Sequence, residues 1–404
     1  MDRGTEMEIM SWAGPSQQPI GKSPHPHIAT EPVVVFDPLI PTLLCLSHLR
    51  WSFVYQRPQH LMSRFAREYN VLFFEEPVPT DEVSPWLEVR PDEEGVQVLV
   101  PRLPAGLDEQ RTHTALRYLL DDYLGKLGVE DLLVWYYTPM SLSFADHLKA
   151  NVVVYDCMDE LSAFRGAPPE LVEREQQLLE RADVVFTGGF SIWKAKHTLH
   201  PNVHAFPSSV DVAHFAAARK FQNNPPDQAG LGAPRLGFYG VIDERFDIDL
   251  LDQIAALRPD WQFVMIGPVV KIDPESLPKR DNIHYLGGKT YDELPGYLAG
   301  WNVALMPFAM NESTRFISPT KTPEYLAGGC PVVSTPIADV VSGYGDSGVV
   351  LIAATAEEFV AACEKALEIG ADRETFLTDA DRVLGDMSWD HTQATMQEMI
   401  KCLR

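Results

Sequence analysis

The residues richest in chemistry lie in Arg315–Thr335, which reads RFISPTKTPEYLAGGCPVVST. A Ser-Pro-Thr-Lys-Thr-Pro turn leads into a short helix carrying Glu324. Gly328-Gly329 closes that helix, and the apolar run Pro331–Ser334 follows. Thr322 before Pro323 suits an N-cap with proline at the first helical position, and Ser318 before Pro319 offers a second start. In either register, unpaired backbone N–H groups and the positive helix end would face the space beyond the strand ends. Ser318, Thr320, Lys321 and Thr322 would then surround an anion such as a diphosphate. Glu324, in the first turn, could accept hydrogen bonds from a ribose diol. An ordinary capped helix with a solvated Lys321 fits the same spacing.

Further candidates follow other strand-like runs. LSHLRWSFVYQRPQHLMSRFA puts His48, Arg50 and Trp51 just past the first run, and Arg57-Pro58 opens the next helix. An aromatic ring beside polar donors is a sugar platform; equally, Trp51, Phe53 and Tyr55 could pack a loop, with Arg57 structural. YDCMDELSAF carries Asp156 and Asp159, where a carboxylate could act as a base, orient a hydroxyl, or merely cap a helix.

These groups need a scaffold that brings loop ends together. The runs Thr42–Ser47, Asn70–Phe74, Gln97–Pro101, Leu132–Tyr136, Asn151–Tyr155 and Asp183–Thr187 are short, apolar and not alternating. Amphipathic stretches separate them: Pro58–Glu68, Glu109–Leu124 and Pro169–Arg181. That pattern predicts parallel strands covered on both faces. After a polar stretch, Asn223–Pro234, a second series begins, with strands at Arg235–Tyr239, Gln262–Ile266, Asn282–Tyr285, Val303–Met306, Pro331–Ser334 and Gly348–Leu351. Its helices are expected at Ile248–Ala256, Tyr291–Ala299, Ala356–Ile369 and Arg373–Leu384, with a last one at Trp389–Leu403. Thr355 and Glu358 form a capping-box pair for the third of these. Ligands bind beyond the carboxyl ends of such strands, so two facing sheets would share one cleft.

Composition narrows the partners. The 404 residues, 45% hydrophobic and 22% charged, suit two globular α/β domains. With 57 acidic against 33 basic residues, the formal net charge is −24, which argues against nucleic acid as a partner. Cys45, Cys157, Cys330, Cys363 and Cys402 have neither zinc spacing nor a disulfide framework, which fits a reducing, cytoplasmic setting. No apolar run reaches membrane-spanning length, which leaves at most peripheral contact with the inner face of the plasma membrane.

The run KTPEYLAGGCPVVST resembles the donor-site signature of the GT-B glycosyltransferases, specifically the large retaining group called family 4. That signature has two glutamates separated by seven residues. Glu324 matches the second, and Phe316 stands where the first would be. GFYGVIDERFDIDLL resembles the family's glycine turn with its basic residue, which implies that Gly240 and Arg245 meet the diphosphate. HLRW…QRPQHL, YDCMDELSAF and the PSSVD run at Pro207–Asp211 resemble a bacterial subgroup tied to envelope and exopolysaccharide synthesis. The likeness covers most of the chain beyond residue 40.

The resemblance implies an α/β fold of two Rossmann-like doubly wound domains facing across a cleft. Residues 1–40 would form a flexible leader and 41–207 an acceptor-side domain. Residues 208–387 would bind the nucleotide sugar, and helix 388–404 would pack back on the first domain. It implies Asp159, Arg245 and Lys321 as catalytic residues. Gly240, Arg245, Ser318, Thr320, Lys321, Thr322 and Glu324 would hold the donor, and His48, Arg50, Trp51 and Arg57 would line the acceptor side. The donor would be a nucleoside-diphosphate sugar and the acceptor a saccharide or lipid-linked hydroxyl, with no cofactor and no metal. A nucleotide-sugar epimerase of the same fold, or a non-catalytic nucleotide-sugar binder, remains as an alternative.

Overall fold

The computed structural model describes residues 36–164, 166–221 and 224–404; most of the expected leader and the first residue of the polar stretch lie outside them. The first half of the chain builds strands β1 (Thr42–Leu46), β2 (Asn70–Phe74), β3 (Val78–Thr80), β4 (Trp86–Pro91), β5 (Val96–Pro104), β6 (Leu132–Tyr136), β7 (Val152–Cys157), β8 (Val184–Thr187) and β9 (Val203–Ala205). They join in the order β3-β5-β2-β1-β6-β7-β8-β9, with β4 added antiparallel to β5. The second half builds β10 (Arg235–Tyr239), β11 (Gln262–Ile266), β12 (Ile283–Tyr285), β13 (Val303–Met306), β14 (Val332–Ser334) and β15 (Val350–Ile352). These form a parallel sheet in the order β12-β11-β10-β13-β14-β15.

The unbroken apolar runs have a direct cause in β1. Leu44 and Leu46 pack into one buried cluster while Leu43 and Cys45 pack into another on the opposite face, so from Leu43 to Leu46 neither face is left to solvent. β4 escaped the sequence reading because its residues are partly exposed and charged, as suits an added edge strand.

In each sheet the strand order reverses at one point, between β1 and β6 in the first and between β10 and β13 in the second. A crevice opens there because the flanking loops diverge.

Two local expectations need correction. The helix carrying Glu324 spans Lys321–Gly328, so neither Thr322 nor Ser318 caps it. Thr320 occupies the N-cap in helical conformation without a side-chain cap, and Pro323 falls within the first turn, where it lacks no needed N–H. The stretch Tyr291–Ala299 is not one helix. A 3₁₀ turn, Tyr291–Glu293, capped by Thr290, precedes the helix Leu294–Leu298. The Thr355 capping box is present, with Glu358 reaching back to the Thr355 N–H at 3.2 Å.

The last helix, Trp389–Lys401, lies against the helix Arg57–Phe65 of the first half. Trp389 stacks on His60 at 4.7 Å, Arg64 pairs with Asp390 at 3.1 Å, and the Ser209 and Thr392 hydroxyls meet at 2.7 Å. No helix among the described residues is long and apolar enough to cross a membrane.

Candidate active site

Both reversal points open on one cavity of about 290 Å³. The first half supplies the loop after β1 with His48 and Arg50, Arg57 at a helix start, and the loop after β7 with Asp159 and Phe164. The second half supplies Gly240 to Arg245 after β10, Lys271 after β11, Phe308 after β13, and Ile317 to Lys321. Parallel strands put all of these loops on the same edge of each sheet.

On the second-half wall three cations converge. Lys321 lies across the end of β10, where Gly240 has φ +147° and a Cβ would come within 2.3 Å of the lysine Cε. Only glycine leaves that path open. Burial draws the Lys321 pKa down and Arg245 adds to the shift, while Glu324 opposes it. Arg245 forks onto Asp243, at 2.6 Å to Oδ2 and 3.0 Å to Oδ1. Its guanidinium also stands 5.7 Å from the centre of the Phe164 ring, which belongs to the opposite wall. Lys271 adopts φ +62°, a left-handed conformation that costs a non-glycine residue energy, and its ammonium also stands 5.7 Å from Phe164.

On the facing wall Asp159 is half-buried, and loss of water raises its pKa against the pull of Arg245 and Arg57. His48 is held at a pKa of about 4, through burial first and the nearby Lys271 second. It is therefore neutral at physiological pH, and its Nδ1 is buried without a hydrogen-bond partner.

Glu324 does not line the cavity as it stands. It lies one helical turn on from Lys321, 9% exposed, with a pKa raised to about 7 by burial against the opposing pull of Lys321 and of the Tyr239 hydroxyl. Ser318 and Thr320 do line it.

Four other expected residues are engaged elsewhere. The Thr322 hydroxyl is buried against the Met306 sulfur at 3.1 Å, so it does not face a ligand. Trp51 is off the cavity: its ring packs edge-on to Phe73 at 5.0 Å and its indole donates to Asp92 at 2.9 Å. Arg50 borders the cavity, but its guanidinium is taken up by Glu75 at 3.1 Å and by the carbonyls of Glu76 and Pro77. Arg57 is 2% exposed, forked onto Asp156 at 2.9 and 3.0 Å and donating to the Phe206 carbonyl at 2.7 Å. For Trp51 and Arg57 these contacts match the structural role that the sequence also allowed; for Arg50 and Thr322 the sequence had not suggested these partners.

Lys271, Asp243 and Phe164 were not singled out from the sequence. The position of Lys271, five residues beyond a strand next to the reversal point, was the available signal.

The arrangement can hold a multiply charged anion at Lys321, Arg245 and Lys271, with a neutral polar group facing Asp159 and His48. Among the described residues, no group of three or more His, Cys, Asp or Glu side chains is placed to hold a metal ion.

A sequence-family model described as "Glycosyl transferases group 1" matches residues 233–368. The chain is 25% identical over 286 residues to the putative teichuronic acid biosynthesis glycosyltransferase TuaH of Bacillus subtilis, an alignment covering 65% of this chain and 70% of the relative. Among solved structures, it is similar to sucrose-phosphate synthase from Thermosynechococcus elongatus, with a TM-score of 0.65 at 16% identity over 90% of this chain and 99% of the other. It is similar also to the E. coli trehalose-6-phosphate protein bound with UDP-2-fluoro glucose, with a TM-score of 0.66 at 14% identity over 89% and 99%.

Proposed function

We propose a donor, an acceptor class and a stereochemical course for a chain that is a GT-B glycosyltransferase of the family-4-like type. The donor is a nucleoside-diphosphate hexose, with UDP as the first nucleoside diphosphate to test. The acceptor is a hydroxyl of a saccharide, free or lipid-linked, in the assembly of a cell-envelope polysaccharide. Transfer retains the anomeric configuration. The carrying observation is the set Lys321, Arg245 and Lys271 on one wall of the cavity, across from Asp159 on the other. The UDP sugar bound to the E. coli neighbour and the putative teichuronic acid role of the B. subtilis relative support the choice of donor and pathway class.

The chemistry follows from where charge grows. As the bond from the anomeric carbon to the diphosphate lengthens, the sugar gains oxocarbenium character and negative charge gathers on the leaving phosphate. Cations fixed before the reaction stabilise that charge without reorganising, and loss of one such donor typically costs about 2.7–4 kcal/mol. Burial works against the charged form of Lys321, and an arriving diphosphate would favour it. These side chains and the N–H groups opening Lys321–Gly328 do the neutralising, so the reaction needs no metal. Asp159 orients the acceptor hydroxyl. Glu324 receives the ribose diol once the helix start has taken the diphosphate.

On this reading residues 41–207 form the acceptor side and 208–387 the donor side, with 388–404 returned to the former. The enzyme works in the cytoplasm, with at most peripheral contact at the membrane.

The test is calorimetry of the purified protein against UDP, GDP, ADP and dTDP, with and without excess EDTA. The corresponding hexose donors would then be offered to saccharide acceptors, with anomeric configuration read by NMR. One diphosphate should bind selectively in EDTA, and Glu324→Ala should weaken that binding by about 1.5–3 kcal/mol. Failure of all four to bind would sink the proposal.

A further inference from the structure

The residue that departs from the family signature has a place of its own in this fold. Phe316 packs against the buried cluster of the first half, the one containing Leu44 and Ile192, and is absent from the cavity wall. Its segment is tied across the cleft a second time, where the Ser208 hydroxyl donates to the Ser318 carbonyl at 3.0 Å. A third tie comes from Asp339, in the helix Ala338–Tyr344 that follows β14. Its carboxylate, 8% exposed, accepts the Ser191 N–H at 2.9 Å.

Gly189 shows how closely the halves meet there. A Cβ on Gly189 would lie 1.9 Å from the Asp339 Oδ2 and 2.7 Å from the Ser318 Cβ. The backbone of Gly189, φ −175° and ψ 171°, is ordinary extended chain that any residue adopts. Glycine is therefore required here by the opposing half and not by its own conformation. Asp339 is an aspartate that loses water and gains one backbone donor, and its pKa is raised by that burial.

We propose that Phe316, Ser318 and Asp339 on one half, with Gly189, Ser191 and Ser208 on the other, form a latch that fixes the closed spacing of the cleft, making Asp339 and Phe316 positioning residues for transfer. In place of the sugar contact that a glutamate at 316 would make, this chain uses the position to hold the two walls at reacting distance. The latch rests on the glycosyltransferase reading for its consequence, but its geometry is independent of the donor's identity. The Lys321 and Arg245 wall lies wholly in the second half and can bind a diphosphate whether the cleft is open or shut. Only closure brings Asp159 within reach of the same sugar, so loosening the latch should spare donor affinity and lower turnover.

Gly189→Ala tests this as a wedge, with small-angle X-ray scattering of the whole protein as the primary readout and calorimetry with UDP as the second. The radius of gyration should increase in the variant, UDP affinity should stay within about threefold, and kcat should fall by about tenfold or more with little change in donor KM. Asp339→Ala, which removes the tie without adding bulk, should open the cleft in the same direction and covers the case in which Gly189→Ala fails to fold. Scattering curves of both variants superimposing on wild type would overturn the latch, whatever the activity. Opened curves with no UDP binding in wild type would leave the latch standing and remove the donor assignment instead.

Discussion

The two walls of the cleft use charge in opposite ways. On the first-half wall Arg57 is committed to Asp156 and Arg50 to Glu75, and behind that wall Lys196 holds Glu160 and Glu175 at 2.6 and 2.7 Å. These pairs are largely buried, and Lys196 in particular ties down the loop that carries Asp159. On the second-half wall Lys321, Arg245 and Lys271 share a cavity in which Asp243 is the close acidic partner. The contrast teaches that sequence charge does not mark function. Arg57 and Arg245 are both forked onto a buried carboxylate; the difference is that Arg57 is only 2% exposed, whereas Arg245 keeps 27% of its side chain exposed beside the cavity, where an anion from outside can reach it.

The largest effect that could break this contrast concerns Arg57. Arg57→Ala would leave Asp156, which is fully buried, without its partner, and should cost about 3–5 kcal/mol of folding stability. Denaturant unfolding checks that cost, and calorimetry on the remaining folded protein should find diphosphate affinity close to wild type. A selective loss of transfer with stability intact would move Arg57 from scaffold to site.

Arg245→Ala should do the reverse. Transfer should fall by a factor corresponding to about 2.7–4 kcal/mol, while the stability loss should be smaller than for Arg57→Ala, because Arg245 is itself partly exposed and solvent at the cavity can reach the site it leaves beside the buried Asp243. Steady-state kinetics beside a thermal melt would decide between them. A drop in melting temperature with kcat unchanged would make this wall scaffold too.

The smallest effect is the one on Glu324, and it sharpens the contrast through pH. Its pKa rises from 4.5 in the unfolded chain to about 7 in the folded protein, so the native state binds more protons across that interval. Stability contributed at low pH is therefore lost as pH rises through about 7. Glu324→Gln should flatten that loss and make the empty protein more stable above pH 7, by on the order of 2–3 kcal/mol at most. The same variant should weaken diphosphate-nucleoside binding by about 1.5–3 kcal/mol, since the carboxylate is the better acceptor for a diol. In wild type that affinity should decline below pH 7. Melting curves and calorimetry from pH 5 to 8.5 check both, and an affinity indifferent to pH and to the substitution would remove Glu324 from the donor site.

By itself the sequence determined the two-sheet α/β plan, because strands buried on both faces must be apolar throughout and the helices between them amphipathic. β1, β2, β6, β10, β11 and β13 could be placed almost to the residue for that reason. It also determined that Gly240, Lys321 and Asp159 follow strand ends, and a parallel sheet sends strand ends to one edge. What only the tertiary structure decided is which charges open on the cavity. The fork between Arg57 and Asp156 spans 99 residues, and the contact between Gly189 and Asp339 spans 150; no local pattern encodes either. Thr322 and Ser318 lie in the same turn and read alike as candidate ligands. One faces the Met306 sulfur and the other the cavity, because a helix starting at Lys321 turns each side chain by its register, and tertiary packing set that register.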